Sequence, residues 1–241
     1  MEKYLYLIIN LLTISVPLIR SFEPRINYAK KWKALFPAMG LTAAVFIIWD
    51  HFFTEIGVWG FNSTYLLDVF IFSLPLEEWM FFFTVPFACI FIYEVLNYFV
   101  PKDYFKNFSQ PLTLTLIAVF ILVGFWNLDK WYTGLNFLFA AAVLTAHLGV
   151  FGTKHLGRFY LAYLVHLVPF LIVNGILTGS WIEEPIVWYN NAENLGIRLG
   201  TIPLEDTVYS MSLLLMNISI YEMLLKKVNH PVINENLYVK S

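Results

Sequence analysis

Apolar residues come in seven long runs along this chain, roughly 4–20, 34–54, 73–99, 110–127, 131–151, 158–180 and 203–226, with short polar breaks between them. The fourth is the shortest, and each is near the ~20 residues that an α-helix needs to cross hydrocarbon. None of the runs alternates apolar and polar positions with a period of two. In a bilayer only helices and closed barrels satisfy their own backbone, so the pattern predicts helices and excludes a barrel. The expected fold class is all-α: a polytopic membrane protein of seven transmembrane helices.

Composition supports this reading. The chain is 59% hydrophobic and 13% charged, with a mean hydropathy of +0.66, whereas soluble domains are about 25% charged. A net charge of −2 gives no expectation of a nucleic-acid partner. The first run lacks a small-residue cleavage site and leads into a basic loop, so it reads as a retained span rather than a signal peptide. Cys89 is the single cysteine, which leaves no disulfide framework.

Lysine and arginine set the expected orientation. Arg20, Arg25, Lys30, Lys31 and Lys33 follow the first run; Lys102 and Lys106 follow the third. Lys154 and Arg158 follow the fifth, and Lys226, Lys227 and Lys240 the seventh. The other side holds Lys3, Lys130 and Arg198, a split of twelve to three. The bias places the N-terminus outside and the C-terminus in the cytoplasm of a multi-pass cell-membrane protein, and agrees with an odd number of spans.

The chain also repeats itself. Pro75-Leu76-Glu77-Glu78 opens the third run, and Pro203-Leu204-Glu205-Asp206 opens the seventh, 128 residues later. Tyr93-Glu94 maps in the same way onto Tyr221-Glu222, and Trp59-Gly60-Phe61-Asn62 and Trp188-Tyr189-Asn190 introduce the two motifs. The organisation expected is a first repeat over 1–100, a connector helix over 101–130 and a second repeat over 131–241. Spans 1–3 and 5–7 then run in the same directions, as parallel repeats about an axis along the membrane normal.

Proline at the first helical position with carboxylates in the first turn is an ordinary helix start. Two copies at the membrane boundary ask for more, because carboxylates there are costly and usually face the protein interior. Neighbours in sequence lie about 100° apart on a helix, so at most one of each pair points squarely inward. Asp50 and His51 near the end of span 2, and Asn174 in span 6 with Glu183 and Glu184 beyond it, are placed to share one pocket with the motifs. Trp59, Trp79 and Trp188 are further candidates for its lining, where aromatic faces would stabilise a cation. His51, His147 and His166 read as satisfied interior or interfacial histidines. Tyr93-Glu94 and Tyr221-Glu222 lie about 25 Å along their helices from the motifs, which predicts a structural role at the other end.

Several chemistries find no support. The twelve glycines form no nucleotide-binding pattern, so no cofactor is expected. No His/Cys cluster suggests a metal. A retinal Schiff base needs a lysine deep in the last span, where Lys226 and Lys227 lie at its end.

The paired motifs, their lead-ins, the Asn174-Gly175-Ile176-Leu177-Thr178-Gly179 run and the trailing Tyr-Glu resemble the membrane-integral lycopene β-cyclases of bacteria, archaea and fungi. The likeness is best over 37–97 and 165–225. It implies acid-catalysed, non-redox cyclisation of lycopene ends to β-ionone rings, giving γ-carotene and then β-carotene, with catalytic acids Glu77, Glu78, Glu205 and Asp206. Glu77 and Glu205 are the expected proton donors, and Glu78 and Asp206 their partners. The implied substrate is a carotenoid drawn from the bilayer, beside a second copy of the chain or other carotenoid enzymes. The alternatives are a carboxylate-relay proton or ion transporter, which would spread acids across the membrane, and a protein that binds carotenoid unchanged.

Overall fold

A computed structural model describes residues 2–229, so Lys240 falls outside the described residues. Among the described residues, seven helices are each long and apolar enough to cross a membrane: α1 (Leu5–Arg20), α2 (Trp32–Glu55), α3 (Leu76–Phe99), α4 (Ser109–Trp126), α5 (Trp131–Phe151), α6 (Leu156–Leu177) and α7 (Leu204–Asn229). The protein is an all-α, multi-pass membrane protein, built as two three-helix repeats (α1–α3 and α5–α7) joined by α4. Its main core lies where α2, α3, α5 and α7 meet, around Leu35, Phe87, Leu144, Leu215 and Ile218.

Three short antiparallel ladders accompany the helices, and no periodicity could have announced elements of two or three residues. β2 (Phe70–Ile71) pairs with β3 (Leu74–Pro75), and β5 (Arg198–Leu199) with β6 (Ile202–Pro203), each a tight hairpin leading into a motif helix. The hairpins match in backbone. Asp68 and Phe72 take positive φ in the first (62° and 55°), and Gly196 and Gly200 take it at the equivalent places in the second (71° and 66°). The left-handed region is free for glycine and strained for a bulky residue such as Phe72. Pro75 is not the first helical residue but the extended N-cap (φ −65°, ψ 152°), so α3 starts at Leu76 rather than 73. Leu76 N–H bonds back to the Val69 carbonyl (2.8 Å), as Leu204 N–H does to Ile197 (2.9 Å).

The third ladder joins the repeats. β1 (Trp59–Phe61) pairs with β4 (Val187–Tyr189) in the register Trp59↔Tyr189, Gly60↔Trp188, Phe61↔Val187. A shift of 128 residues maps this register onto itself, so a pseudo-twofold axis passes through the Gly60–Trp188 pair. The Trp188 ring lies so close over Gly60 that a Cβ there would come within 2.3 Å of it. At the opposite end of the bundle the repeats exchange another pair of bonds. Tyr93 Oη donates to Glu222 Oε1 (2.7 Å) and Tyr221 Oη to Glu94 Oε1 (2.5 Å). Lys31 pairs with Glu94. His155 faces Glu222 at 3.5 Å, but burial, with Lys154 and Lys226 nearby, holds its imidazole down at about 4, neutral at physiological pH. The Tyr-Glu pairs, for which a structural role is expected, thus hydrogen-bond one repeat to the other.

Candidate active site

Both motif helices begin at the same end of the bundle, and there the two carboxylates of each motif part company. In the first repeat Glu77 turns back over the preceding loop. Its Oε1 accepts from Leu67 N–H (2.7 Å), and its carbonyl accepts from Asn10 Nδ2 (3.0 Å). In the second, Glu205 Oε1 accepts from Leu195 N–H (2.7 Å) and Thr133 Oγ1 (2.7 Å), and its carbonyl from Asn136 Nδ2 (2.7 Å). Both side chains are completely buried, and neither lines the cavity described next. A carboxylate in the first turn of a helix is where a loop N–H finds an acceptor, and that demand turns these two acids away from the centre.

Glu78 and Asp206 turn the other way, into one cavity of about 90 Å³ that both repeats line. Glu78 Oε2 accepts from Tyr6 Oη (2.5 Å). Asp206 accepts from three donors: Tyr132 Oη, Asn174 Nδ2 (2.7 Å) and Tyr189 Oη (3.0 Å). Asp50 joins them, taking a bond from Trp59 Nε1 on Oδ1 (2.5 Å), while its buried Oδ2 has no partner among the described residues. Tyr189 lies outside the spans. Burial, with Asp206 beside it, pushes its phenol well above its ordinary value, so it stays a neutral donor. The walls are aromatic: Trp59 meets Tyr132 edge-on (centroids 5.1 Å), and Tyr132 stacks on Tyr189 (5.8 Å). No group of three or more His, Cys, Asp or Glu among the described residues is placed to hold a metal ion.

Of the residues singled out from sequence, Glu78, Asp206, Asp50, Asn174 and Trp59 come together here, and Glu77, Glu205, Trp79 and Trp188 do not. Trp79 donates to the Ile71 carbonyl (3.2 Å) and stacks on Phe72, outside the cavity. Trp188 points out of the bundle, 43% exposed. Matching the two lead-ins by their tryptophans slips the register by one residue. In a strand that slip moves a side chain to the opposite face, so Trp59 and Tyr189 face in while Gly60 and Trp188 face out. His51 contacts Ser73 (2.6 Å) and Glu184 accepts from Asn62 (2.9 Å), both away from the cavity.

Sequence reading missed Tyr6, Tyr132, Tyr189 and Tyr209, all of which line the cavity. A signal for two of them was present. Tyr6-Leu7-Ile8-Ile9-Asn10 and Tyr132-Thr133-Gly134-Leu135-Asn136 share a Tyr and an Asn one helical turn apart, so both fall on one face of their helix. The Asn holds the motif's backbone, and the Tyr holds the carboxylate one residue on.

Residues 3–96 and 129–224 match the family model described as lycopene cyclase. No curated protein matches the chain, and no solved structure does.

Proposed function

The chain belongs to the lycopene cyclase family, a carotenoid-cyclising enzyme family, and from that premise and the cavity we propose that it is a lycopene β-cyclase acting on a carotenoid taken from the bilayer. The observation that carries this is the meeting of Glu78, Asp206 and Asp50 in one aromatic-walled cavity lined by both repeats. The reaction is an isomerisation. A carboxyl proton adds to the terminal double bond of the acyclic end and leaves a tertiary cation. The neighbouring double bond, the first of the conjugated chain, attacks that cation and closes a six-membered ring, which moves the charge to its far carbon. A proton then leaves the carbon beside the new cation, and its bonding pair becomes the ring double bond. No electrons are gained or lost, so the step calls for no redox cofactor.

The hydrogen bonds support a division of labour. Asp206, with three donors, is stabilised as an anion and suits the cation and the departing proton. On the other wall Glu78 and Asp50 have one donor each. Asp50 Oδ2, Glu77 Oε2 and Glu205 Oε2 are all buried without a partner among the described residues, and of these three acids Asp50 alone lines the cavity, where a proton on it could reach the substrate. We therefore assign the donor to the Glu78–Asp50 side. This reverses the expectation that Glu77 and Glu205 are the donors, and leaves those two as supports of the loop. The faces of Trp59, Tyr132 and Tyr189 offer cation–π stabilisation to the intermediate. The lysine and arginine bias favours the cavity end outside, with the C-terminus in the cytoplasm.

The test is expression in a lycopene-accumulating bacterium, with pigments separated by chromatography. Conversion to β-carotene by wild type, lost in Glu78→Gln and in Asp206→Asn, is expected. Unchanged lycopene in the wild type, with Glu78-dependent proton flux in vesicles, would overturn the cyclase in favour of a transporter.

A further inference from the structure

A second, apolar space of about 300 Å³ between α1, α3 and α6 adjoins the acid cavity. The two share Phe81, Val85, Cys89, His166, Phe170 and Asn174. Beyond these the groove is walled by Leu12, Thr13 and Pro17 of α1, Ala88 of α3, and Pro169 and Val173 of α6. Its mouth is on the outside of the bundle, where Leu12 is 67% exposed and Pro169 is exposed. Leu12 and Pro169 both lie near the middle of their helices, which puts the mouth at mid-bilayer depth. There α1 and α6 scarcely touch.

The pseudo-twofold axis requires a counterpart between α5, α7 and α2, and there the space is filled. The shift of 128 residues puts Phe46 in place of Asn174 and Tyr209 in place of Phe81. Phe46 is completely buried and packs edge-on against Tyr209 (5.0 Å) and Phe139 (5.7 Å), with Trp49 stacked beside it (5.9 Å). Another apolar groove, of about 420 Å³ between α4, α6 and α7, shares no lining residue with the acid cavity.

We infer that the α1–α3–α6 groove holds the polyene chain of the substrate while one of its ends occupies the acid cavity, and that this groove is the way in from the bilayer. The inference rests on the cyclase reading. The occupant is a rod-like hydrocarbon, because the groove is apolar, opens in the lipid zone and adjoins the acid cavity. With the counterpart filled, a polyene presents one end at a time. Cyclising the second end then requires the monocyclic product to back out, reverse and return.

Filling the groove tests this. In membranes supplied with lycopene, Ala88→Trp and Val173→Trp are expected to lose about 10-fold or more of conversion, while Leu116→Trp, in the disconnected groove, leaves conversion unchanged. A time course with lycopene in excess is expected to build up γ-carotene before β-carotene. Cys89, at the junction of groove and cavity, gives a readout in the wild-type protein. Its labelling by a bilayer-soluble maleimide should slow when lycopene is loaded. Full conversion by Ala88→Trp and Val173→Trp at wild-type abundance, or labelling of Cys89 unaffected by lycopene, overturns the groove. A wild type that leaves lycopene unchanged sinks the cyclase reading, and this inference with it.

Discussion

In the first repeat Glu78 takes one hydrogen bond, from Tyr6, beside an Asp50 that takes one from Trp59; in the second, Asp206 takes three. The supports behind these acids are alike. Asn10 and Asn136 hold the same carbonyl, and Leu67 and Leu195 donate to the same carboxylate. The copies differ around the cavity: the 128-residue shift matches Asp50 to Thr178, Phe46 to Asn174, Trp59 to Val187 and Phe61 to Tyr189. A symmetric scaffold therefore carries an asymmetric site. On the proposed chemistry this is what cyclisation needs, since one wall must give a proton and the other must tolerate a cation and take a proton back.

The largest expected effect removes the acid on either wall. Glu78→Gln and Asp206→Asn should each lose about 100-fold or more of conversion, the usual worth of a positioned acid or base, measured as β-carotene formed per enzyme in isolated membranes. If only one variant failed, the two walls would not be partners. Tyr189→Phe, which gives the second repeat the residue type of Phe61, should cost about 10-fold in turnover, as one bond to a charged group is worth. Its pigment profile measured beside that of Asp206→Asn checks this. Glu77→Ala and Glu205→Ala should act on the fold instead. Each orphans a loop N–H and costs about 1–3 kcal/mol, read as a lower melting temperature in detergent, while the molecules that remain folded keep their turnover. The Gln variants, which retain an acceptor oxygen, should be milder. Tyr93→Phe and Tyr221→Phe, at the far end, should have the smallest effect on conversion: each costs about 1.5 kcal/mol of stability, with no change in product.

Much of this was legible in the chain. Helices of 16–26 residues announce themselves through hydropathy, and the 128-residue echo exposes the repeat before any fold is known. The motif pointed to the turn of helix from which Glu78 and Asp206 enter the cavity, but it named Glu77 and Glu205, which do not line it, beside them. Which acid of each pair faces in was not legible, because the 100° between neighbours is fixed while the helix's rotation about its axis is set by tertiary bonds from Tyr6, Asn10, Tyr132 and Asn136. The tryptophans misled for a related reason. Trp59 and Trp188 look like equivalents, but the strand pairing sets them one residue out of step, and a two-residue period makes that the difference between inside and outside.

The β1–β4 ladder crosses the axis where the two repeats meet, with Trp59, Phe61, Val187 and Tyr189 directed into the cavity and Trp188 laid over Gly60 outside. A tertiary carbocation that meets water becomes an alcohol rather than an alkene. On the proposed chemistry this crossing is therefore a seal as well as a joint: by holding bulk water off the reacting carbon, it decides elimination over hydration, and hence whether the product is a hydrocarbon at all.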